Sequence, residues 1–356
     1  MNIDRILSAA VRGGASDILL KVGALPRFRF NGKLISLSDG SPVTVAMMQE
    51  WIEALVPPHQ RAKLQELVDL DFSYQSGGGY RFRVNLFRQR QSWGIVLRII
   101  NNHIRTLEEL QLPPVITNLT QQKRGLILVT GATGSGKTTT LAAMIEKINT
   151  THHAHVITVE DPIEYIYSEK NSTINQREIG VDTASFSEAL RSALRQNPDV
   201  ILVGELRDSE TTTTALMAAE TGHLVMSTLH TKDAVESITR LMSYFEPHRH
   251  HQVRLALSQT LLAVVSQRLL TRQDGRGMVP AIEILMVNDH VREILVEGED
   301  FTALHDIIGK GQDTWGMQSF DQSILDLYQR GVISKQQALE NASNRKDFEL
   351  TLRGVS

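Results

Sequence analysis

Residues 131–138 read GATGSGKT, directly after the apolar run GLILVT and directly before the helical pattern TTLAAMIEKI. A G-x-x-x-x-G-K-T sequence between a strand and a helix is a phosphate cradle. Gly131, Gly134 and Gly136 let the backbone turn its N–H groups inward, and the helix that follows adds its positive N-terminal end. Lys137 is expected to reach the β and γ phosphates of a nucleotide, and Thr138 to set its hydroxyl on Mg2+.

Two acidic strand ends supply the other half of such a chemistry. NPDVILVGELRD (197–208) ends an apolar run at Glu205, with Gly204 where an aspartate is common in phosphoryl-transfer sites. Glu205 is expected to act on metal-bound water. ITVEDPIEY (157–165) ends another run with Glu160, Asp161 and Glu164, any one of which is placed to align or deprotonate an attacking water, with Pro162 fixing the turn at the sheet edge. The alternative for each is an acidic strand end in solvent.

TGHLVMSTLHT (221–231) sets His223 and His230 seven positions apart. On a strand they would lie roughly 23 Å apart on opposite faces; on a helix they would share a face at about 10 Å. Neither spacing lets both rings hold one ion at about 2 Å, so the pair is not a chelate.

These residues need elements to position them. From residue 123, strand-length apolar runs alternate with helical patterns: GLILVT, TTLAAMIEKI, HVITVE, SFSEALRSALRQ, DVILVGE, TTTALMAAET, HLVMSTLH. That alternation predicts βαβ units and a largely parallel, buried sheet. Residues 1–100 carry short β-rich runs and two helical stretches, near 2–13 and 44–68, and predict a small α+β domain with a hairpin loop at 75–80. Within it RFRVNLF turns Phe82, Val84 and Leu86 to one face and Arg81, Arg83 and Asn85 to the other, in the simplest reading a solvated face. The prolines at 113 and 114 make 101–122 the expected linker. Beyond about 270 the patterns predict an all-helical piece.

The chain has 356 residues, 41% hydrophobic and 22% charged, with a formal charge of −3 and no cysteine. Disulfide frameworks and thiolate zinc sites are excluded. The net charge gives no general pull toward nucleic acid. The N-terminal residues do not follow a secretory signal pattern, and no apolar run approaches the roughly 18 residues of a membrane span.

Taken in order, GASDILL, RFRVNLF, TLEELQLPPVI, KRGLILVTGATGSGKTTTLAAMI, ITVEDPIEY, NQREIGVDTASFSEALRSALRQNPDVILVGELRD, TGHLVMSTLHT and GMQSFDQSILDLY resemble the secretion ATPase superfamily, specifically the type IV pilus retraction ATPases of the PilT and PilU family. The resemblance implies an α/β fold: a RecA-like P-loop ATPase core at 123–272, preceded by a PAS-like α+β domain at 1–100 and the 101–122 linker, and followed by a helical region at 273–356. It implies a homohexameric motor, cytoplasmic and peripheral at the inner membrane, that uses ATP and Mg2+ to drive pilin disassembly for twitching motility. The implied partners are an inner-membrane platform protein (PilC-like) and a paralogous retraction ATPase, without nucleic acid.

Carried over by motif, Glu164 matches the catalytic glutamate of the aspartate box, Glu205 the Walker B glutamate, and His223 and His230 the histidine box. The resemblance places Thr133, Gly134, Ser135, Gly136, Lys137, Thr138, Thr139, Glu160 and His223 around the nucleotide, Thr138 and Glu205 at the metal, and Arg83 and Arg98 as arginines offered to a neighbouring copy's nucleotide. The chain departs from the pattern at Leu19, where a histidine is frequent, at Ala132, where proline is frequent, and at Val296, in the second arginine position of the AIRNLIRE pattern. Together with GMQSFDQSILDLY and the ENASNRKDFEL ending, the last departure leans toward a PilU-like accessory ATPase; a nucleotide-gated scaffold acting on a paralogous motor is a further alternative. An assembly or type II secretion ATPase is disfavoured by the lack of a four-cysteine motif, and a DNA translocase by the lack of a basic reading module.

Overall fold

The computed structural model describes residues 2–30, 32–36, 41–61, 64, 68–100, 104–298 and 300–352. They fall into two compact units, Met1–His103 and Ile104–Ser356.

In the first unit β1 (Asp17–Lys21), β2 (Arg27–Phe30), β3 (Lys33–Ser36), β4 (Asp69–Gln75), β5 (Arg81–Gln89) and β6 (Ser92–Ile100) form one antiparallel sheet in the order β3-β2-β1-β6-β5-β4. Phe82, Val84 and Leu86 of β5 point inward as the alternation predicts, and join Ile18, Leu20, Ile95 and Leu97 in a core closed by α1 (Ile3–Arg12) and α2 (Val45–Leu55). The long helix expected at 44–68 stops at Leu55, because Pro57 and Pro58 cannot continue it; Pro58 instead opens the single turn α3 (Pro58–Arg61). Residues 62, 63 and 65–67 of that expected helix lie outside the described residues.

The second unit is built on a seven-stranded sheet among the described residues. Its strands are β7 (Gly125–Thr130), β8 (His155–Glu160), β9 (Thr173–Glu178), β10 (Val200–Val203), β11 (Leu224–Leu229), β12 (Leu261–Thr271) and β13 (Met278–Met286), in the order β13-β12-β7-β11-β10-β8-β9. Every pairing is parallel except β12 with β13. Crossovers run through α5 (Lys137–Thr151), α6 (Phe186–Ala193), α7 (Ser209–Glu220), α8 (Ala234–Met242) and α9 (His250–Thr260). Successive residues of the central strands serve two separate cores: Leu126, Leu128, Ile201 and Val203 face one, while Ile127, Val129, Val200 and Leu202 face the other. Burial on both faces is why these strands read as unbroken apolar runs rather than alternating ones.

Two expectations give way here. The prolines at 113 and 114 do not hold an irregular linker: Pro114 begins α4 (Pro114–Leu119), a position where its missing N–H costs nothing. Leu107, Leu112, Ile116 and Leu119 are then buried in the core of the second unit, so the segment from 104 onward belongs to that unit, while 101–103 lie outside the described residues. The stretch after 272 is also not all helical. VPAIEILM forms β13, whose register with β12 runs from Ala263↔Met286 to Thr271↔Met278, so the sheet extends past the boundary expected at 272. Its mixed Pro-Ala-Glu content masks the strand, and burial against the helix at Phe320–Gln329 supplies what propensity does not. Beyond it lie α10 (Asp289–Glu297), α11 (Leu304–Lys310), α12 (Gln312–Trp315), α13 (Phe320–Gln329), α14 (Lys335–Asn341) and α15 (Arg345–Leu352), with Phe320, Ile324, Leu327 and Phe348 packed together with Val279 and Ala281.

Candidate active site

Parallel pairing brings the C-terminal ends of β7, β8, β10 and β11 to one edge of the sheet, the edge where α/β proteins bind ligands. The loop after β7 turns straight into α5. Gly131 (φ +144), Gly134 (φ +81) and Gly136 (φ +92) take conformations that side chains resist, and a Cβ at Gly131 would stand 2.4 Å from Ser135 Oγ and 2.5 Å from Gln267 O. Lys137, the first residue of α5, is buried, and its ammonium donates to the loop carbonyls of Gly131 (2.8 Å) and Ala132 (3.0 Å). Burial lowers its pKa, against the attraction of Glu205 and Glu164. Ser135 Oγ is buried without a hydrogen-bond partner.

Glu205 follows β10 by two residues. A Cβ at Gly204 would stand 3.3 Å from both the Phe186 ring and Val159 O, a tight fit that either neighbour would have to ease. Thr228 of β11 donates its hydroxyl to Gly204 O at 2.7 Å and fixes the strand end. The Glu205 carboxylate is paired with the Arg207 guanidinium, which also stands 3.9 Å from Asp161. Asp208, by contrast, caps α7 by accepting from Thr211 N–H at 2.7 Å.

His230 leaves the end of β11 and joins this group: Nδ1 is 3.4 Å from the Thr133 hydroxyl and Nε2 is 3.8 Å from Glu205 Oε2. Its pKa is lowered by burial and by Lys137 and Arg207, with Glu205 acting the other way, which favours the neutral ring. His223 is not brought here. It precedes β11, at the opposite edge of the sheet, where its ring meets Ala218 O at 2.9 Å and Gly125 N–H donates to its carbonyl. The cause is length: the strand between the two histidines spans the whole sheet.

Glu164 is exposed on the loop after β8 and is near enough to Lys137 to raise its pKa. Glu160 turns inward instead. Its carboxylate accepts from the Thr158 hydroxyl (2.6 Å), from Gln176 (3.3 Å) and from the Glu164 backbone, and it is 6% exposed. Glu160 thus holds the loop that presents Glu164 rather than meeting a ligand itself, and burial raises its pKa. Gln176 and Glu178 of β9 complete that hold, through Tyr165 O, Tyr167 N–H and Ile163 N–H. Thr139 bonds its hydroxyl to Tyr165 OH at 2.9 Å, and Thr138 is half-buried at the start of α5. Beside the loop a cavity of about 410 Å³ opens, lined by Gly136, Thr139, Leu269, Arg272 and Met278 among others.

The donor set suits a nucleotide. The N-terminus of a 15-residue helix, inward backbone N–H groups, a lysine and an unpartnered hydroxyl make a phosphate site. Among the described residues no cluster of three or more His, Asp or Glu could hold a metal ion. Sequence reasoning passed over Arg207, although it lies two residues from Glu205. In the first unit, Arg98 and Arg83 stand opposite each other on neighbouring strands. Asp17 accepts from Arg98 at 3.2 Å and pairs with Arg29 at 3.2 Å, which offsets the repulsion within the row.

The family model "Type II/IV secretion system protein" matches residues 1–276. The chain is 40% identical to the type IV pilus retraction ATPase PilT of Pseudomonas aeruginosa over 98% of its own length and 100% of that protein. It is 38% identical to the type IV pilus ATPase PilU of the same organism, over 99% and 92%. A crystal structure of the pilus retraction motor PilT with bound ADP superposes with a TM-score of 0.90 at 43% identity, covering 98% of this chain and 99% of that one.

Proposed function

Since the chain belongs to the type II/IV secretion system protein family, we propose that it is the ATP-hydrolysing motor of type IV pilus retraction, and that its site works as follows. The observation that carries the reading is the convergence of Lys137, Glu205, Glu164 and His230 at one sheet edge around a loop that only glycine backbone can form. The loop N–H groups and Lys137 bind the β and γ phosphates, with Lys137 leaving the carbonyls of Gly131 and Ala132 to do so. The cavity beside Gly136 and Leu269 takes the base and ribose. Thr138 and Glu205 would hold Mg2+, which would supply neutralisation of the phosphate charge. Glu164 aligns and deprotonates the attacking water. His230, neutral and beside Thr133, reports the γ-phosphate to Glu205 and the end of β11.

Copies assemble into a hexamer at the pilus base, with Arg83 and Arg98 of one copy offered to the nucleotide of the next, where they stabilise transferred charge. The platform protein and pilin are the partners on which the motor acts, and contact with the membrane is peripheral: among the described residues no helix is long and apolar enough to cross one. Val296 on α10 favours the accessory branch as a second reading, in which the chain assists a paralogous motor. Steady-state ATP hydrolysis by the purified chain, read with its mass in solution, tests both. Turnover that rises with hexamer formation supports the motor. A ring that binds ATP with negligible turnover, alone and with the paralogue, would leave only a scaffold.

A further inference from the structure

Glu283 is a buried carboxylate that the proposed mechanism does not use. It stands on β13 opposite Ser266 of β12, which in turn stands opposite Thr130, the last residue before the phosphate loop; the Thr130 hydroxyl donates to that of Ser266 at 2.9 Å. Glu283 is 5% exposed, and its Oε1 accepts the backbone N–H of Ala234, the first residue of α8, at 2.9 Å. Ala234 follows His230 by four residues. Between them, Asp233 caps α8 through Glu236 N–H at 2.8 Å, and the Thr231 and Ser237 hydroxyls bond at 2.6 Å. The loop from His230 is therefore rigidly joined to the end of α8, and Glu283 ties that end to the sheet.

A carboxylate is a costly way to satisfy one N–H in an interior, where a glutamine would do the same without a charge. The charged groups that face Glu283 are Asp233 from the cap of α8, Arg268 from β12 and Asp321 from α13. Arg268 is engaged elsewhere as well: its guanidinium lies 3.8 Å from the centre of the Phe320 ring and donates to Asn341 O at 3.0 Å. Burial raises the Glu283 pKa to about 7, with Asp233 and Asp321 adding to the rise and the Ala234 N–H and Arg268 opposing it.

We infer that Glu283 is a positioning residue, which fixes the start of α8 and through it sets where His230 stands against Thr133 and Glu205. The inference rests on the proposed role of His230. Ionised, Glu283 makes the stronger, charge-assisted bond to Ala234; protonated, it loosens the tether. Turnover therefore rises with pH through about 7, in step with a group that never touches the nucleotide.

The test is a kinetic set on the full chain with ATP. Glu283→Ala lowers kcat about tenfold and leaves KM for ATP within about twofold, because the phosphate loop hangs on β7 and not on α8. Glu283→Gln keeps a neutral acceptor oxygen for Ala234, so its kcat stays above that of Glu283→Ala, near the low-pH level of wild type, and loses the rise near pH 7. In a His230→Ala background, Glu283→Ala lowers kcat no further, since its effect passes through that ring. Equal losses in both backgrounds, unchanged kcat in Glu283→Ala, or a pH profile that Glu283→Gln leaves intact would each overturn the inference while wild-type turnover still supports the proposed function. If Glu283→Ala does not fold, the pH profile of Glu283→Gln decides. A wild-type chain without turnover overturns both.

Discussion

The two histidines that bracket β11 are the same residue type on the same strand, yet they live in different chemistry. At the C-terminal end His230 meets Thr133, Glu205 and the field of Lys137. At the other end His223 meets a helix carbonyl and its neighbour Thr221. The difference is set by the sheet. Parallel pairing gathers the ends of β7, β8, β10 and β11 at one edge, and a residue seven positions upstream is delivered to the other edge whatever its side chain.

The largest way to sharpen that contrast is to disable the populated edge. Glu205→Gln keeps the size of the side chain and removes its charge; kcat for ATP hydrolysis should fall by roughly 10²–10⁴ while nucleotide still binds. Turnover at the wild-type rate would remove Glu205 from the chemistry. Lys137→Ala acts one step earlier, on the phosphate itself. Its loss of a charge-assisted contact should weaken ATP affinity about tenfold or more, measured by fluorescent nucleotide titration. Unchanged affinity would mean that the loop does not hold the phosphates.

The two strand ends were unequally legible in the sequence. The phosphate loop could be read because its geometry depends on contiguous residues: three glycines, a lysine and the helix that follows. The placement of Glu205 followed from a strand end, which apolar runs mark well, whereas His230 came only from the resemblance of TGHLVMSTLHT to the histidine box. Glu160 and Glu164 could not be separated that way. Glu160 turns inward because Thr158, Gln176 and the Glu164 backbone wait for it, and Gln176 lies on β9, a polar edge strand with no apolar signal. Strand β13 and the burial of Leu107 and Ile116 were hidden for the same reason: tertiary packing decided them, against local pattern.

A smaller effect belongs to His230 directly. His230→Ala removes its approach to Thr133 and to Glu205, and should lower kcat roughly tenfold with little change in ATP affinity. Burial, Lys137 and Arg207 lower its pKa, so the ring gains its proton at lower pH than an ordinary imidazole. The part of the acid limb set by the ring's own proton should therefore lie at lower pH than the rise near 7 set by Glu283, and both should vanish in the alanine variant. Arg207→Gln removes one of the positive neighbours that hold the imidazole pKa down, so that limb should move toward neutral pH. A limb that stays in place or moves toward lower pH would show that Arg207 does not hold the imidazole pKa down.

The smallest expected effect tests the other end of the strand. His223→Ala gives up a hydrogen bond to the Ala218 carbonyl at a partly exposed position, and substitutions of that kind cost up to about 0.5 kcal/mol, or roughly twofold in an equilibrium. Within one chain nothing carries that change across the length of β11 to Lys137, so kcat at low protein concentration should stay within about twofold of wild type. The contrast breaks if the variant loses turnover only at concentrations where copies associate. Its ring would then serve the nucleotide site of a neighbouring copy, and the two ends of one strand would belong to two different active sites.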